Sequence, residues 1–249
     1  MSRFPDVRLL GAALLLGAAA CAKTDAASMP KVAASSGDVS ASVKTPNAPP
    51  VAAPASGVPG AATDSLSTLA DKGRIHGDAA APIWLIEVSD FQCPYCKRWH
   101  DETYKILDKE FVQTGKVRHA FLNFPIPSLH PNALAASEAA MCASVQGKFW
   151  EMHESLFKRQ ERWAHAKDPM PQFDSLAQAA GVDAVRWRDC VTSHASLALI
   201  NADRDRLGTR GVQSTPTFYV GDESILGAQP YDSFSVAIKR QLAKASGAR

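Results

Sequence analysis

Two cysteines separated by two residues, Cys93-Pro94-Tyr95-Cys96, are the side chains of this sequence best suited to chemistry. Thiols at that spacing can close a small disulfide and reopen it. They stand where an apolar run, Pro82 to Val88, meets a segment of helical periodicity. Pro94 suits the first helical position, where its missing N–H would have had no partner. Cys93 then caps the helix, and the unpaired N–H groups and positive dipole end favour its thiolate, a nucleophile and a stable leaving group. Cys96 lies one turn in, placed to close a disulfide with Cys93. Glu87, six residues before Cys93, would accept or donate a proton during exchange if the apolar run buries it; otherwise it is an exposed strand-edge glutamate. His100, four residues after Cys96, falls on the same helix face, either to tune the thiols or only to pack. A Cys-x-x-Cys pair is also half of a zinc site, but zinc ribbons and knuckles need two more ligands at close spacing. Cys142 and Cys190 stand alone, so no metal is expected, and no organic cofactor is implied. A purely structural disulfide is the remaining alternative.

The elements around this pair must hold a strand end against a helix start. Pro82-Ile83-Trp84-Leu85-Ile86-Glu87-Val88 reads as a strand buried on both faces. Tyr95, Trp99, Ile106, Leu107 and Phe111 recur at helical spacing up to a stop at Gly115. Val117 to Phe124 reads as a second strand, giving a β-α-β unit that favours a parallel pair with a right-handed crossover. Residues 131 to 209 carry only helical signals, and Thr217-Phe218-Tyr219-Val220 and Ile225-Leu226-Gly227 then give two short strands around a turn. Tyr231, Phe234, Ile238 and Leu242 mark a last amphipathic helix. The expected fold class is α/β, with a helical block inserted over about 128–210.

The rest of the 249 residues bounds the setting. A 46% hydrophobic content supports a packed core and excludes a disordered or collagen-like chain. Lys and Arg number 27 against 25 Asp and Glu, and the part beyond residue 64 is equally balanced, so nucleic acid is not an expected partner. Arg3 and Arg8 precede an apolar run of 12 residues, Leu9 to Ala20, which is too short for a membrane span of about 20 residues. That pattern marks residues 1–21 as a secretory signal peptide. Gly17-Ala18-Ala19-Ala20-Cys21 resembles a lipobox, which would lipidate Cys21; cleavage after Ala18-Ala19-Ala20 or Ala20-Cys21-Ala22 is the alternative. Residues 22–65 read as a disordered tether, since 27 of the 43 residues from 22 to 64 are Ala, Ser, Pro or Gly and none is aromatic. Residues 66–249 form the folded domain, expected in the periplasm or cell envelope, with a lipid as its only membrane anchor and as a monomer.

In an exported chain free thiols rarely persist, so Cys142 and Cys190, both in expected helices, read as an interhelical disulfide. Such a bridge closes a loop of about 49 residues, worth roughly 4 kcal/mol in the chain-entropy model. Two buried thiols acting as small hydrophobes, or a second catalytic pair, are the alternatives.

A strand, an acidic residue, Ser89-Asp90-Phe91-Gln92-Cys93-Pro94-Tyr95-Cys96, a helical block and the late Ser214-Thr215-Pro216-Thr217-Phe218 together resemble the DsbA-like group of the thioredoxin superfamily, over about residues 74 to 245. The resemblance implies a thioredoxin fold in which Cys93 attacks, Cys96 resolves and Glu87 is the buried acid. It implies that Thr215-Pro216 is a loop whose cis-proline faces the disulfide and whose Thr215 pairs with substrate backbone. Clients would be unfolded exported proteins, bound near Thr215 and on apolar surface around Pro94, Tyr95 and Phe218, with a membrane partner to reset the pair. Pro94-Tyr95 departs from the Pro-His of the strongest oxidants, so a milder oxidant is expected. A reductase or isomerase kept reduced by a membrane donor, and a non-catalytic binding scaffold, are the competing functions.

Overall fold

The computed structural model describes residues 66–247. The segments expected to be a signal peptide and a tether, with Cys21, lie outside the described residues. The sheet has five strands, β1 (Ile75–His76), β2 (Ile83–Ser89), β3 (Val117–Asn123), β4 (Thr217–Val220) and β5 (Glu223–Leu226), in the order β1-β3-β2-β4-β5. β2 and β3 are parallel, as a β-α-β crossover requires, and the other three pairings are antiparallel.

β2 is central, but its two faces differ. Ile83, Leu85, Glu87 and Ser89 are buried on one face, while Trp84 on the other is 38% exposed, with the Arg118 guanidinium 4.8 Å from its ring centroid. The expected two-sided burial therefore fails at Trp84, where a cation lies over the ring.

After α1 (Leu66–Gly73), the crossover begins as α2 (Pro94–Trp99) and winds through π-helical turns at His100–Tyr104 and Asp108–Val112, on either side of the short α3 (Lys105–Leu107). The wider turns rotate His100, Thr103 and Tyr104 inward and leave Tyr95 and Ile106 exposed, so the buried face departs from the 3.6-residue spacing. Gly115, at φ +72°, closes the element where the stop was expected. The helical block runs as α4 (Ala133–Ser144), α5 (Phe149–Lys158), α6 (Gln160–Trp163), α7 (Met170–Ala180), α8 (Ala184–Thr192) and α9 (Leu197–Thr209), and α10 (Tyr231–Gly247) follows the last hairpin.

Two large apolar cores and a small cluster of Val88, Leu207 and Val212 result among the described residues. One fills the block, where Phe91 and Phe121 at the sheet meet Phe149, Phe157 and Trp163. The other lies where Ile83 and Leu85 meet Trp99, Phe218, Phe234 and Ile238. Phe91, Cys93 and Cys96 belong to the first core and Trp99, three residues on, to the second, so both cores fix the Cys-x-x-Cys pair.

Candidate active site

Cys93 caps α2 in extended conformation (φ −65°, ψ 124°), with Pro94 at the first helical position. Its amide donates to the Asp90 carbonyl at 3.0 Å, and its carbonyl accepts from the Lys97 amide at 3.1 Å and from Gln160 Nε2 at 3.1 Å. Gln160 also donates to the Phe91 carbonyl at 2.7 Å, so α6 clamps both ends of the strand-to-helix turn. Asp90, fully buried, accepts from the Gln92 and Ile126 amides and lies 2.8 Å from His130 Nδ1, which holds the turn from below.

The two thiols differ in protonation. Cys93 is held down to about 6, chiefly by a hydrogen bond from the Cys96 thiol, with help from Thr215 and the Cys96 and Tyr95 amides against the opposing effect of burial. Cys96 is fully buried, and burial together with its role as donor to Cys93 pushes it well up. One sulfur is therefore a thiolate at neutral pH and the other a thiol.

Thr215-Pro216 is a cis peptide, and the Thr215 carbonyl lies 3.5 Å from Cys93 Sγ. Pro216 is buried and Thr215 half-buried, while Pro94 and Tyr95 face solvent. Phe218, expected on the client-facing surface, is instead fully buried, 4.4 Å from Trp99 and 4.8 Å from Phe234 between ring centroids. Alternation along β4 turns it into the core, where it lies opposite Glu87 in register.

Glu87 is fully buried, and burial raises its pKa to about 8, so it is a neutral acid at pH 7. Ser89, next on the same strand face, favours the charged form of both Glu87 and Cys96 against the larger effect of burial. His119 Nε2 is 3.2 Å from Glu87 Oε2. His100 packs rather than approaching the thiols: it lies 2.8 Å from Glu154 and 3.1 Å from Asp101, stacked on Phe157 and Tyr104. No cluster of His, Cys, Asp or Glu suited to a metal occurs among the described residues.

From sequence, Ser89 and Asp90 take a place in the motif but no role, and His119 is not singled out. The available signal at His119 was phase: Val117, His119, Phe121 and Asn123 share the inward face of β3, and a histidine there is buried.

Comparison with known proteins now bears on this geometry. The sequence profile of the thioredoxin family, described as thioredoxin, matches residues 69–240. The chain belongs to the thioredoxin family. Its architecture is that of the DsbA-like members. Oxidised BdbD from Bacillus subtilis superposes with a TM-score of 0.63 at 24% identity, covering 69% of this chain and 94% of that one. Wolbachia pipientis alpha-DsbA1 gives 0.61 at 20% identity over 69% and 92%. Among curated sequences, disulfide bond formation protein D of Bacillus subtilis is 24% identical over 69% of this chain and 78% of its own length. A Na(+)/H(+) antiporter, NhaA 3 of Salinispora tropica, is 30% identical over 70% of this chain. This chain spans only about a quarter of that relative's length (26%). No helix among the described residues is long and apolar enough to cross a membrane.

Proposed function

We propose that this protein is an exported thiol–disulfide oxidoreductase that oxidises client thiols through Cys93 and Cys96. The observation that carries the reading is the asymmetry of the pair: Cys93, capping α2 beside the cis Thr215-Pro216 loop, is held down to about 6 by hydrogen bonding with Cys96 and Thr215, and Cys96 is buried and pushed well up. A stabilised thiolate stabilises the reduced form, and that makes the disulfide an acceptor of electrons. A client thiolate attacks Cys93, and the Cys93–Cys96 bond breaks with its electron pair leaving on Cys96. A second client thiolate resolves the mixed disulfide, so the client leaves oxidised and the pair reduced. Thr215 supplies backbone contact for an extended client, and exposed Pro94 and Tyr95 supply apolar contact. A membrane redox partner then reoxidises the pair. The N-terminal segment supports a cell-envelope or periplasmic location with a lipid on Cys21, the chain acting as a monomer without cofactor or metal. The similar Bacillus subtilis protein bears the name disulfide bond formation protein D, which supports disulfide chemistry of this kind.

Equilibration of the purified chain in glutathione buffers, read by alkylation and mass spectrometry, tests the direction. A potential of about −120 to −180 mV is expected. A value near roughly −270 mV would instead assign a reductant kept charged by a membrane donor.

A further inference from the structure

Proton transfer accompanies each opening of the disulfide, and Glu87 is sealed from solvent. It has no aligned hydrogen-bond partner among the described residues, and the same holds for Ser89 Oγ. Beyond it, however, stands a row of ring nitrogens. His119 Nε2 is 3.2 Å from Glu87 Oε2, and His119 Nδ1 is 3.1 Å from His76 Nε2. That His76 nitrogen is 3.6 Å from Asp108 Oδ1, and the His76 side chain is 26% exposed. β1 consists only of Ile75 and His76, paired to Ala120 and His119 of β3, so this two-residue strand seats His76 at its neighbour's ring. The Trp150 ring covers His76 at 3.9 Å between centroids.

We infer that His119 and His76 form a proton conduit between buried Glu87 and solvent, which supplies and removes the proton of Cys96 during thiol exchange. The inference rests on the exchange reading above and assigns His119 and His76 as positioning residues, since neither touches the reacting sulfurs. When client thiolate displaces Cys96, the new bond joins client sulfur to Cys93 and the departing electron pair resides on Cys96 Sγ. That sulfur takes a proton from Glu87 by way of the Ser89 hydroxyl. Glu87 is refilled from His119 Nε2, and His119 is refilled at Nδ1 from His76 Nε2. His76 recovers its proton from solvent beside Asp108, so one proton enters per sulfur protonated. Reoxidation runs the transfers in reverse and returns the His119 ring to its first tautomer.

The surroundings keep the path uncharged. Burial lowers His119 to about 3, against a small opposing pull from Asp108, and burial with His119 lowers His76 to about 3. Glu87 faces Ser89 on its own strand and His119 from β3, and it feels His100 from the first π-helical turn. His119 faces His76 from β1, Trp150 from α5 and Tyr104 from the first π-helical turn. His153 of α5 packs against Tyr104 and feels His76, His100 and His119. His100 itself is held by Asp101 and Glu154.

The test measures mixed-disulfide formation between the oxidised full chain and a single-cysteine peptide, from acid to mildly alkaline pH. His76→Ala and His119→Gln should each slow this step about tenfold at neutral pH, a loss modest for general acid–base catalysis. Because the His76 site opens to solvent, added imidazole should restore the His76→Ala rate. Pyrazole, a ring of the same size and far weaker basicity, should not. His76→Gln, which keeps a polar side chain at the edge but cannot relay, covers the case in which the alanine variant fails to fold and should be slowed alike. Parent-like rates in the folded histidine variants, or equal rescue by pyrazole, would overturn the conduit and leave the exchange reading intact. A parent that forms no mixed disulfide, or a Cys93→Ser variant that still exchanges, would remove both.

Discussion

The molecule contains two cysteine pairs, and their surroundings give the same residue type opposite characters. Cys142 of α4 and Cys190 of α8 are joined at 2.05 Å across the helical block, 48 residues apart in sequence. Cys142 lies in the apolar core and Cys190 packs against its rim. Glu138, buried one turn before Cys142 on α4, is tied to His194 at 2.8 Å, and the polar neighbour of the Cys142 sulfur is the Ser196 hydroxyl at 3.9 Å. Cys93 and Cys96 are free thiols three residues apart at a strand-to-helix turn, beside the Thr215 carbonyl, and buried Glu87 stands on the strand that leads into that turn. Position relative to helix start, carbonyl and buried acid separates a redox pair from a staple; the cysteine itself does not.

The sharpest way to break this comparison is to exchange the roles of the two pairs by substitution. Cys93→Ser should abolish client oxidation altogether, and Cys96→Ser, which cannot form the internal disulfide, should lose it too and should trap a mixed disulfide at Cys93 when offered a disulfide-bonded client, whose broken bond supplies the oxidising equivalent. Cys142→Ser with Cys190→Ser should leave turnover near the parent rate but reduce unfolding free energy by up to about 4 kcal/mol, as measured in urea. Loss of turnover in the Cys142/Cys190 variant that exceeds its loss of folded protein would mean that the two pairs communicate.

A finer probe acts on Cys93 alone. Alkylation of the reduced protein should rise with pH to half its maximum near pH 6, where the thiolate forms. Tyr95 is 56% exposed, with the Arg98 guanidinium 5.0 Å from its ring centroid, so the dipeptide can be altered without disturbing the core. Tyr95→His should move that midpoint lower by about one unit, equivalent to about 1.4 kcal/mol and about 30 mV towards a stronger oxidant. An unchanged midpoint would assign thiolate stabilisation to Cys96 and Thr215 alone.

Local features of this architecture were legible because each carries its own signal. The apolar run before Cys93, Pro94 at the helix start and Gly115 at its end mark elements whose causes lie within a few residues. Glu87 was legible by its place inside an apolar strand. The π-helical turns were not, since nothing in Tyr95, Trp99 and Phe111 announces a wider turn between them. Phe218 was misplaced because a β residue two positions after a proline can face either way until register is known; pairing with Glu87 decides it. His76 and His119 escaped for the same reason: they are 43 residues apart and meet only through β1–β3 pairing.

Buried ionisable groups mark the last difference between the two pairs, since titration shapes stability around Glu87 and a closed disulfide has nothing to titrate. His119 and His76 fold with pKa values near 3, below the ordinary value of 6.5. The unfolded chain therefore binds more protons between those values, and their contribution to stability is lost as pH falls through this window. Glu87, raised from 4.5 to about 8, has the opposite sign, contributing stability below 4.5 that is lost as pH rises towards 8. Between pH 6.5 and 4.5 Glu87 offsets about one histidine, and His153, which burial also lowers well below its ordinary value, adds to the acid loss. Urea unfolding of the oxidised chain at several pH values should show stability falling as pH drops below 6.5. His119→Gln should flatten that slope by at most about 1.4 kcal/mol per pH unit. The Cys142→Ser/Cys190→Ser variant should give a curve parallel to the parent and displaced downward. A His119→Gln curve parallel to the parent would mean that the ring is not held neutral, and the distinction between a titrating pair and an inert one would then rest on Cys93 and Cys96 alone.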